Sequence, residues 1–156
     1  MSLDRDLQRI WSVADLQFGR GVGHLLFPRN VKIEYSRRTG RIRYVYLNGI
    51  RLATMRPTDG LFSLSLVGAK RLAGHPGKAK CIVIVKSGVA EFVTAGGDAF
   101  AVHMLYADED IRPKDEVIVV DENNNVLAVG RAVLSSEEIT SFKRGVAVKV
   151  RRGIRE

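Results

Sequence analysis

Apolar residues near the start of the chain recur with the spacing of an amphipathic helix, at Leu7, Ile10 and Ala14. An α-helix has about 3.6 residues per turn, so these side chains share one face. The spacing therefore predicts a helix over residues 3–16. Glycines interrupt the pattern in GRGVG, residues 19–23, and the run HLLF that follows predicts one further short turn.

Three stretches with period-two alternation come next and predict strands, namely NVKIEYSR, GRIRYVYL and IRLATMR. Hairpin turns join them at RRTGR (37–41) and at LNGI (47–50), where Asn-Gly favours a tight two-residue turn. After the turn PTDG, the stretch LFSLSL predicts a fourth strand, and VGAKRLA predicts a helix that ends at Gly74.

The second half of the chain is predicted to be mostly β-structure. CIVIVKSG and FAVHMLYA predict strands, residues 111–134 predict two more joined by an Asn-rich turn, and GVAVKVRRG predicts the last. Short helices fall between these strands. We expect Ser87 to be the N-cap of the first helix and Ser135 or Ser136 that of the second, where two glutamates occupy the first turn.

The stretch GHPGK, residues 74–78, is rich in Gly and Pro and separates the two halves. We therefore expect an α+β fold with a small α+β domain at residues 1–76 and a mostly-β domain at residues 77–156.

Charge also differs between the halves. Residues 1–77 hold thirteen Arg and Lys against five Asp and Glu, whereas residues 78–156 hold twelve of each, so the net charge of +8 arises in the first half. A basic face attracts polyanions, of which nucleic acid is the commonest, and the alternative is a solvated arginine-rich surface.

Few residues suggest catalysis or a metal site. The three histidines, including His103, lie in separate segments, and the single cysteine, Cys81, falls in a buried-strand pattern, so no metal-ligand spacing occurs. GRGVG follows a helix instead of a strand and lacks Gly-Lys-Ser/Thr, which disfavours a nucleotide loop. We expect no enzyme activity, no cofactor and no metal. No apolar run is long enough to span a membrane, and a cytoplasmic location fits.

Three stretches of the second half follow one another along the chain: KSGVAEFVTAGGDAFAVHM with its double glycine, ADEDIRPKDEVIVVDENNNVLAVGRAVLSSEEI, and KRGVAVKVRRG. Together, over residues 77–154, they resemble the PUA domain, a pseudobarrel RNA-binding module named after pseudouridine synthases and archaeosine transglycosylases. One departure is Lys114-Asp115, where many members carry Gly-Asp. It alters a turn and leaves the expected fold intact.

Within residues 14–72, the stretches ADLQFGRGVGHLLFP and SRRTGRIRYVYLNGIRLATMRPTDGLFSLSLVGAKRL are similar to the domain that precedes PUA in archaeal tRNA-guanine transglycosylases of archaeosine synthesis. The resemblance implies the RNA-binding end of such an enzyme. In that family the catalytic aspartates belong to a barrel of about 250 residues. A chain of 156 residues has no room for this barrel as well, so no catalytic residue is carried over.

The resemblance implies that tRNA or another structured RNA is the partner, held for a modification enzyme by an accessory or detached subunit of an archaeosine-type transglycosylase. In PUA domains the first helix, the glycine loop, the strand after it and the last strand form the RNA surface. Here this implies Lys86, Gly96, Gly97, Asp98, Phe100, Lys149, Arg151 and Arg152. The two glycines would let backbone amides approach RNA.

The first half supplies guanidinium groups, whose forked geometry suits phosphate oxygens. They lie in and beside the hairpin SRRTGRIR, at Arg37, Arg38, Arg41 and Arg43. Tyr44 and Tyr46 are expected to pack in the core, with base stacking as the alternative.

Two other functions stay open from the sequence. One is a protein-interaction module, which the neutral charge of residues 78–156 favours. The other is a stand-alone enzyme acting on RNA or a nucleotide through GRGVGH, and the lack of a catalytic constellation argues against it.

Overall fold

The computed structural model describes residues 2–156, with side chains from residue 3 onward. Its contacts divide it into two units, of which the first ends at Ala79 and the second begins at Lys80. Within the described residues, we find no helix with the length and apolar character that a membrane crossing requires.

The first unit packs helices against an antiparallel sheet. Its helices are α1 (Ser2–Phe18), α2 (Gly23–Leu26) and α3 (Leu66–Ala73). Its strands are β1 (Lys32–Tyr35), β2 (Ile42–Leu47), β3 (Ile50–Met55) and β4 (Phe62–Leu64), and they form a meander in that order. These elements confirm the predicted first helix, the short turn after it and the run of hairpins.

Side-chain burial explains why these residues adopt these elements. The apolar stripe of α1 is at most 3% exposed and faces the core, through Leu7, Ile10, Trp11, Ala14 and Phe18. Asn48 and Gly49 both have positive φ, 52° and 80°, as the tight turn between β2 and β3 requires. Helix α3 packs closely on β3 at Gly68, where a Cβ would be only 2.2 Å from the Leu52 carbonyl oxygen, so a residue without a side chain is needed there.

The second unit is a curled mixed sheet with two short helices. In chain order its elements are β5 (Ile82–Val85), α4 (Ala90–Thr94), β6 (Ala99–Phe100), β7 (Met104–Ala107), β8 (Glu116–Val120), β9 (Val126–Ala132), α5 (Ser136–Ser141) and β10 (Val146–Gly153). The strand order is β6-β10-β9-β8-β5-β7, with β5 and β8 parallel and the other pairs antiparallel.

Closure of this sheet follows from its connectivity. The two edge strands, β6 and β7, are separated in sequence only by a 3₁₀ turn at Ala101–His103. So short a link forces the sheet to curl until its edges nearly meet, around a core rich in valine and alanine. The result is a nearly closed pseudobarrel, and it confirms the predicted α+β fold class.

Two local predictions for the second unit are wrong. FAVHMLYA is not one strand, because the chain crosses from one edge of the sheet to the other at Ala101–His103, and His103 ends that turn. Ser87 is not an N-cap: it opens a 3₁₀ turn, and its amide donates to Glu122 Oε2 at 2.8 Å. The expected cap of the second helix is confirmed, since Ser135 and Glu138 form a capping box.

Candidate nucleic-acid interface

Strand β10 carries basic side chains on its exposed face. Lys149 and Arg152 are exposed, and neither has an ion pair among the described residues. Lys149 lies directly across from Arg131 of β9, which is also exposed. Gly130 allows this close strand approach, since a Cβ there would be 2.2 Å from the Lys149 carbonyl oxygen. The sequence did not single out Arg131, because only the strand register places it beside Lys149.

Arg151 is engaged within the protein. Its Nη1 donates to Glu116 Oε1 at 2.8 Å and its Nη2 to Oε2 at 2.5 Å. The Glu116 side chain is fully buried, whereas that of Arg151 is 38% exposed. A buried carboxylate is costly unless it is paired, so the first role of Arg151 is to neutralise Glu116. Lys149 and Arg152 are therefore the predicted cations of this strand that face solvent without such a pairing.

The double glycine approaches its own chain. The Gly96 amide donates to Val93 O at 3.0 Å and the Gly97 amide to Phe92 O at 2.9 Å. A Cβ at Gly97 would be 2.3 Å from the Phe92 ring, and one at Gly96, where φ is 102°, would meet the Glu156 carboxylate at 2.7 Å. The amides that we expected to face RNA thus have partners within the protein, and Gly97 makes room for the aromatic ring.

A small apolar depression of about 230 Å³ lies beside this loop. Phe92, Phe100 and His103 give it aromatic walls, and Val89, Val93, Asp98 and Ala99 complete the lining. Phe92 is 56% exposed and Phe100 37% exposed, and the ring of Phe100 meets that of His103 edge-on. The volume is below the ~300 Å³ at which small-molecule pockets begin, so there is room for a single planar ring.

The depression and the basic strand are neighbours. Asp98 Oδ1 accepts a hydrogen bond from the Val150 amide at 2.9 Å, and Phe100 pairs with Val146. Lys86, at the start of the 3₁₀ turn that leads into α4, is exposed, and its amide donates to His103 O at 3.0 Å. Hydrogen bonds and strand pairing thus connect the depression to β10 and to Lys86, and the structure adds Phe92 and Arg131 to the predicted residues of the second unit.

In the first unit, the β1–β2 turn and the β3–β4 turn lie at the same end of the meander and flank an open groove of about 1280 Å³. We call it the arginine groove, because its lining includes Arg9, Arg38, Arg41, Arg43 and Arg56. Three of the four predicted arginines of the hairpin therefore come together here. Arg37 is exposed on the same turn but does not line the groove.

Both carboxylates of the arginine groove are already engaged. The hydroxyl of Tyr35 donates to Asp6. This hydrogen bond, with partial burial and the charge of Asp6, raises the pKa of Tyr35 to about 12. Asp59 accepts from Arg56 Nε at 3.2 Å and lies 3.1 Å from its Nη2. The other four arginines of the groove therefore give it a net positive character.

Three further predictions are resolved by packing. Tyr44 and Tyr46 are half-buried instead of core residues, with ring centroids 6.2 Å apart. The glycines of GRGVG join α1 to α2, since the Gly23 amide donates to Asp15 Oδ1 at 2.7 Å. Burial is the main cause of the raised pKa of the Cys81 thiol, and the charges of nearby carboxylates raise it further. Among residues 2–156, no cluster of His, Cys, Asp and Glu could hold a metal ion.

Comparison with known families agrees with this architecture. Residues 8–76 match the patch-forming domain C2 of tRNA-guanine transglycosylase, and residues 82–154 match the PUA domain. The chain is therefore a PUA-domain protein whose first half matches the transglycosylase C2 domain, which confirms both resemblances drawn from the sequence.

Archaeal tRNA-guanine(15) transglycosylases match both halves of the chain. That of Methanobrevibacter smithii is 41% identical over 97% of the chain, and that of Pyrococcus furiosus is 43% identical over 94%. The match takes up 23% and 25% of those enzymes, so the chain spans about a quarter of the length of the curated relatives it matches. A conserved PUA domain protein from Thermoplasma acidophilum shares the fold, with a TM-score of 0.68, 21% identity, and coverage of 96% of this chain and 89% of that one.

Proposed function

We propose that this chain binds structured RNA, with tRNA as the ligand, and holds it for a modification enzyme of the archaeosine transglycosylase type. The observation that carries the proposal is the aromatic depression next to the exposed cations of β9 and β10 in a PUA domain. The relationship to tRNA-guanine(15) transglycosylases over nearly the whole chain supports tRNA as the RNA.

The two features of this surface suit two parts of a tRNA. Arg131, Lys149 and Arg152 neutralise phosphates of the acceptor stem, which proteins bind through its shallow groove, its 2′-hydroxyls and its backbone. The depression between Phe92 and Phe100 takes a base of the single-stranded 3′ end, because an exposed aromatic face stacks on any base. Lys86 adds a further positive charge at the edge of this region.

The contribution of this chain is binding and not catalysis. The relatives are tRNA-guanine(15) transglycosylases about four times as long as the segment that matches this chain. In this proposal the chain acts as an accessory or detached subunit, and the chemistry belongs to a catalytic partner.

Fluorescence anisotropy with labelled tRNA tests the proposal. The double variant Lys149→Glu/Arg152→Glu reverses two exposed charges and is expected to weaken binding at least about tenfold. Lys78→Glu/Lys80→Glu, an exposed double reversal outside these strands, is the matched control and is expected to bind like wild type. Arg151 is left intact because its loss would disturb Glu116. Equal binding by the double variant and the control would contradict the proposal.

A protein-interaction role has one observation in its favour. Within the described residues, strand β7 is an edge strand that pairs with β5 alone, and Leu105 and Tyr106 on it are 50% and 48% exposed. Exposed apolar side chains on an edge strand can pack against a partner protein. Co-elution with a catalytic transglycosylase subunit that is lost in Leu105→Lys, with tRNA affinity unchanged, would favour this role.

A further inference from the structure

We infer that Arg56, in the arginine groove of the first unit, anchors one backbone phosphate of the bound RNA. This inference rests on the proposed RNA-binding function and assigns a residue and a ligand group to a unit that the PUA surface does not include. It concerns a residue that the sequence did not indicate, since the arginines predicted in the first unit all lie in and beside the β1–β2 hairpin.

The guanidinium of Arg56 is only partly satisfied. The residue is 9% exposed, and Asp59 takes up its Nε and Nη2. Its Nη1 is buried and has no hydrogen-bond partner among the described residues. An arginine cannot relieve this by losing a proton, because the guanidinium group keeps its charge in proteins. Burying a donor without an acceptor is unfavourable, and more so when the donor is charged, so a ligand oxygen that accepts from Nη1 would be bound favourably.

The turn holds Arg56 in a fixed position. The Arg56 amide donates to Leu61 O at 2.8 Å, and the Gly60 amide donates to Arg56 O at 2.9 Å. Gly60 has a φ of 71°, which closes the turn, and Asp59 Oδ1 also accepts from the Leu61 amide at 3.0 Å. Backbone and side chain are thus ordered before a ligand arrives, which lowers the entropy that binding costs.

The surroundings favour a phosphate on a strand of RNA over a single carboxylate. Four more arginines line the same open groove: Arg9, Arg38, Arg41 and Arg43. The acids that could neutralise the groove are occupied, Asp6 by Tyr35 and Asp59 by Arg56. Several cations along one open groove match successive phosphates, and guanidinium groups bind phosphate oxygens in fixed, often bidentate geometry.

The test uses the full chain and a blunt RNA duplex, which has no single-stranded end to enter the aromatic depression. Arg56→Lys keeps the charge and removes the fork, so we expect about tenfold weaker binding with an unchanged salt slope. Arg51→Lys is the matched control, because Arg51 is exposed on β3 and does not line the groove. Equal affinities for wild type and Arg56→Lys would overturn the inference.

A second measurement does not depend on how the variant folds. In wild-type protein labelled with ¹⁵N-arginine, the side-chain resonances of Arg56 are expected to shift when the duplex is added. Resonances that stay in place while RNA is bound would overturn the inference. If the proposed function fails, the wild-type protein will bind neither tRNA nor the duplex. If this inference alone fails, the protein will still bind RNA, and the affinity will fall in Lys149→Glu/Arg152→Glu but not in Arg56→Lys.

Discussion

Removal of the Arg151 guanidinium would leave the Glu116 carboxylate buried without its cation. Glu116 is fully buried, and both of its oxygens accept from Arg151. Deleting one partner of a buried ion pair costs about 3–5 kcal/mol. Because the Arg151 side chain is 38% exposed, water can replace part of the pairing, and we expect a loss of about 2–3 kcal/mol in the free energy of unfolding.

Urea denaturation of Arg151→Met measures this loss while keeping an apolar stem on the strand. Arg152→Met is the control: that side chain is exposed on the same strand, and its replacement is expected to cost less than about 0.5 kcal/mol. The double variant Arg151→Met/Glu116→Leu should regain most of the stability, since it buries no unpaired charge. An Arg151→Met protein within about 0.5 kcal/mol of wild type would refute the reasoning.

Three further predictions concern single contacts. The pKa of Tyr35, about 12 beside Asp6, should fall towards the ordinary value near 10 in Asp6→Asn, as read by absorbance at alkaline pH, and an unchanged titration would contradict this. Because the pKa is raised in the folded state, the stability that this contact contributes is present below about pH 10 and is lost as the pH rises towards 12. Ser135→Ala should cost about 1 kcal/mol of unfolding free energy by removing the capping box, whereas Ser87→Ala, which removes no cap, should cost almost nothing; equal losses would contradict the assignment. Gly97→Ala should displace the Phe92 ring, which would lie 2.3 Å from the added Cβ, and should weaken tRNA binding with little change in melting temperature. Unaltered binding would show that the aromatic depression does not contact RNA.

Local patterns predicted most of the elements because the forces that set them are local. Asn48-Gly49 forms the expected tight turn, and Ser135 with Glu138 forms the expected capping box, since each depends on residues close in sequence. The switch between edge strands at Ala101–His103 was not predicted, because the apolar run continues through it and only closure of the sheet breaks it.

The candidate site was predicted less completely for a related reason. Arg38, Arg41 and Arg43 meet in one groove as members of one hairpin, which the sequence indicates. The pairing of Arg151 with Glu116 joins residues 35 positions apart and depends on strand register and burial, which no local pattern reveals. The buried Nη1 of Arg56 likewise appears only when the whole unit is assembled.

The central claim is that the chain recognises tRNA through its PUA surface. The most direct test is tRNA binding by the purified protein across a salt series, with intact tRNA and with tRNA lacking its 3′ CCA. If about five phosphates are contacted, log K should fall against log salt with a slope of about −4, and trimming CCA should weaken binding. Affinity equal to that for an arbitrary DNA duplex, and unchanged by trimming, would contradict the claim.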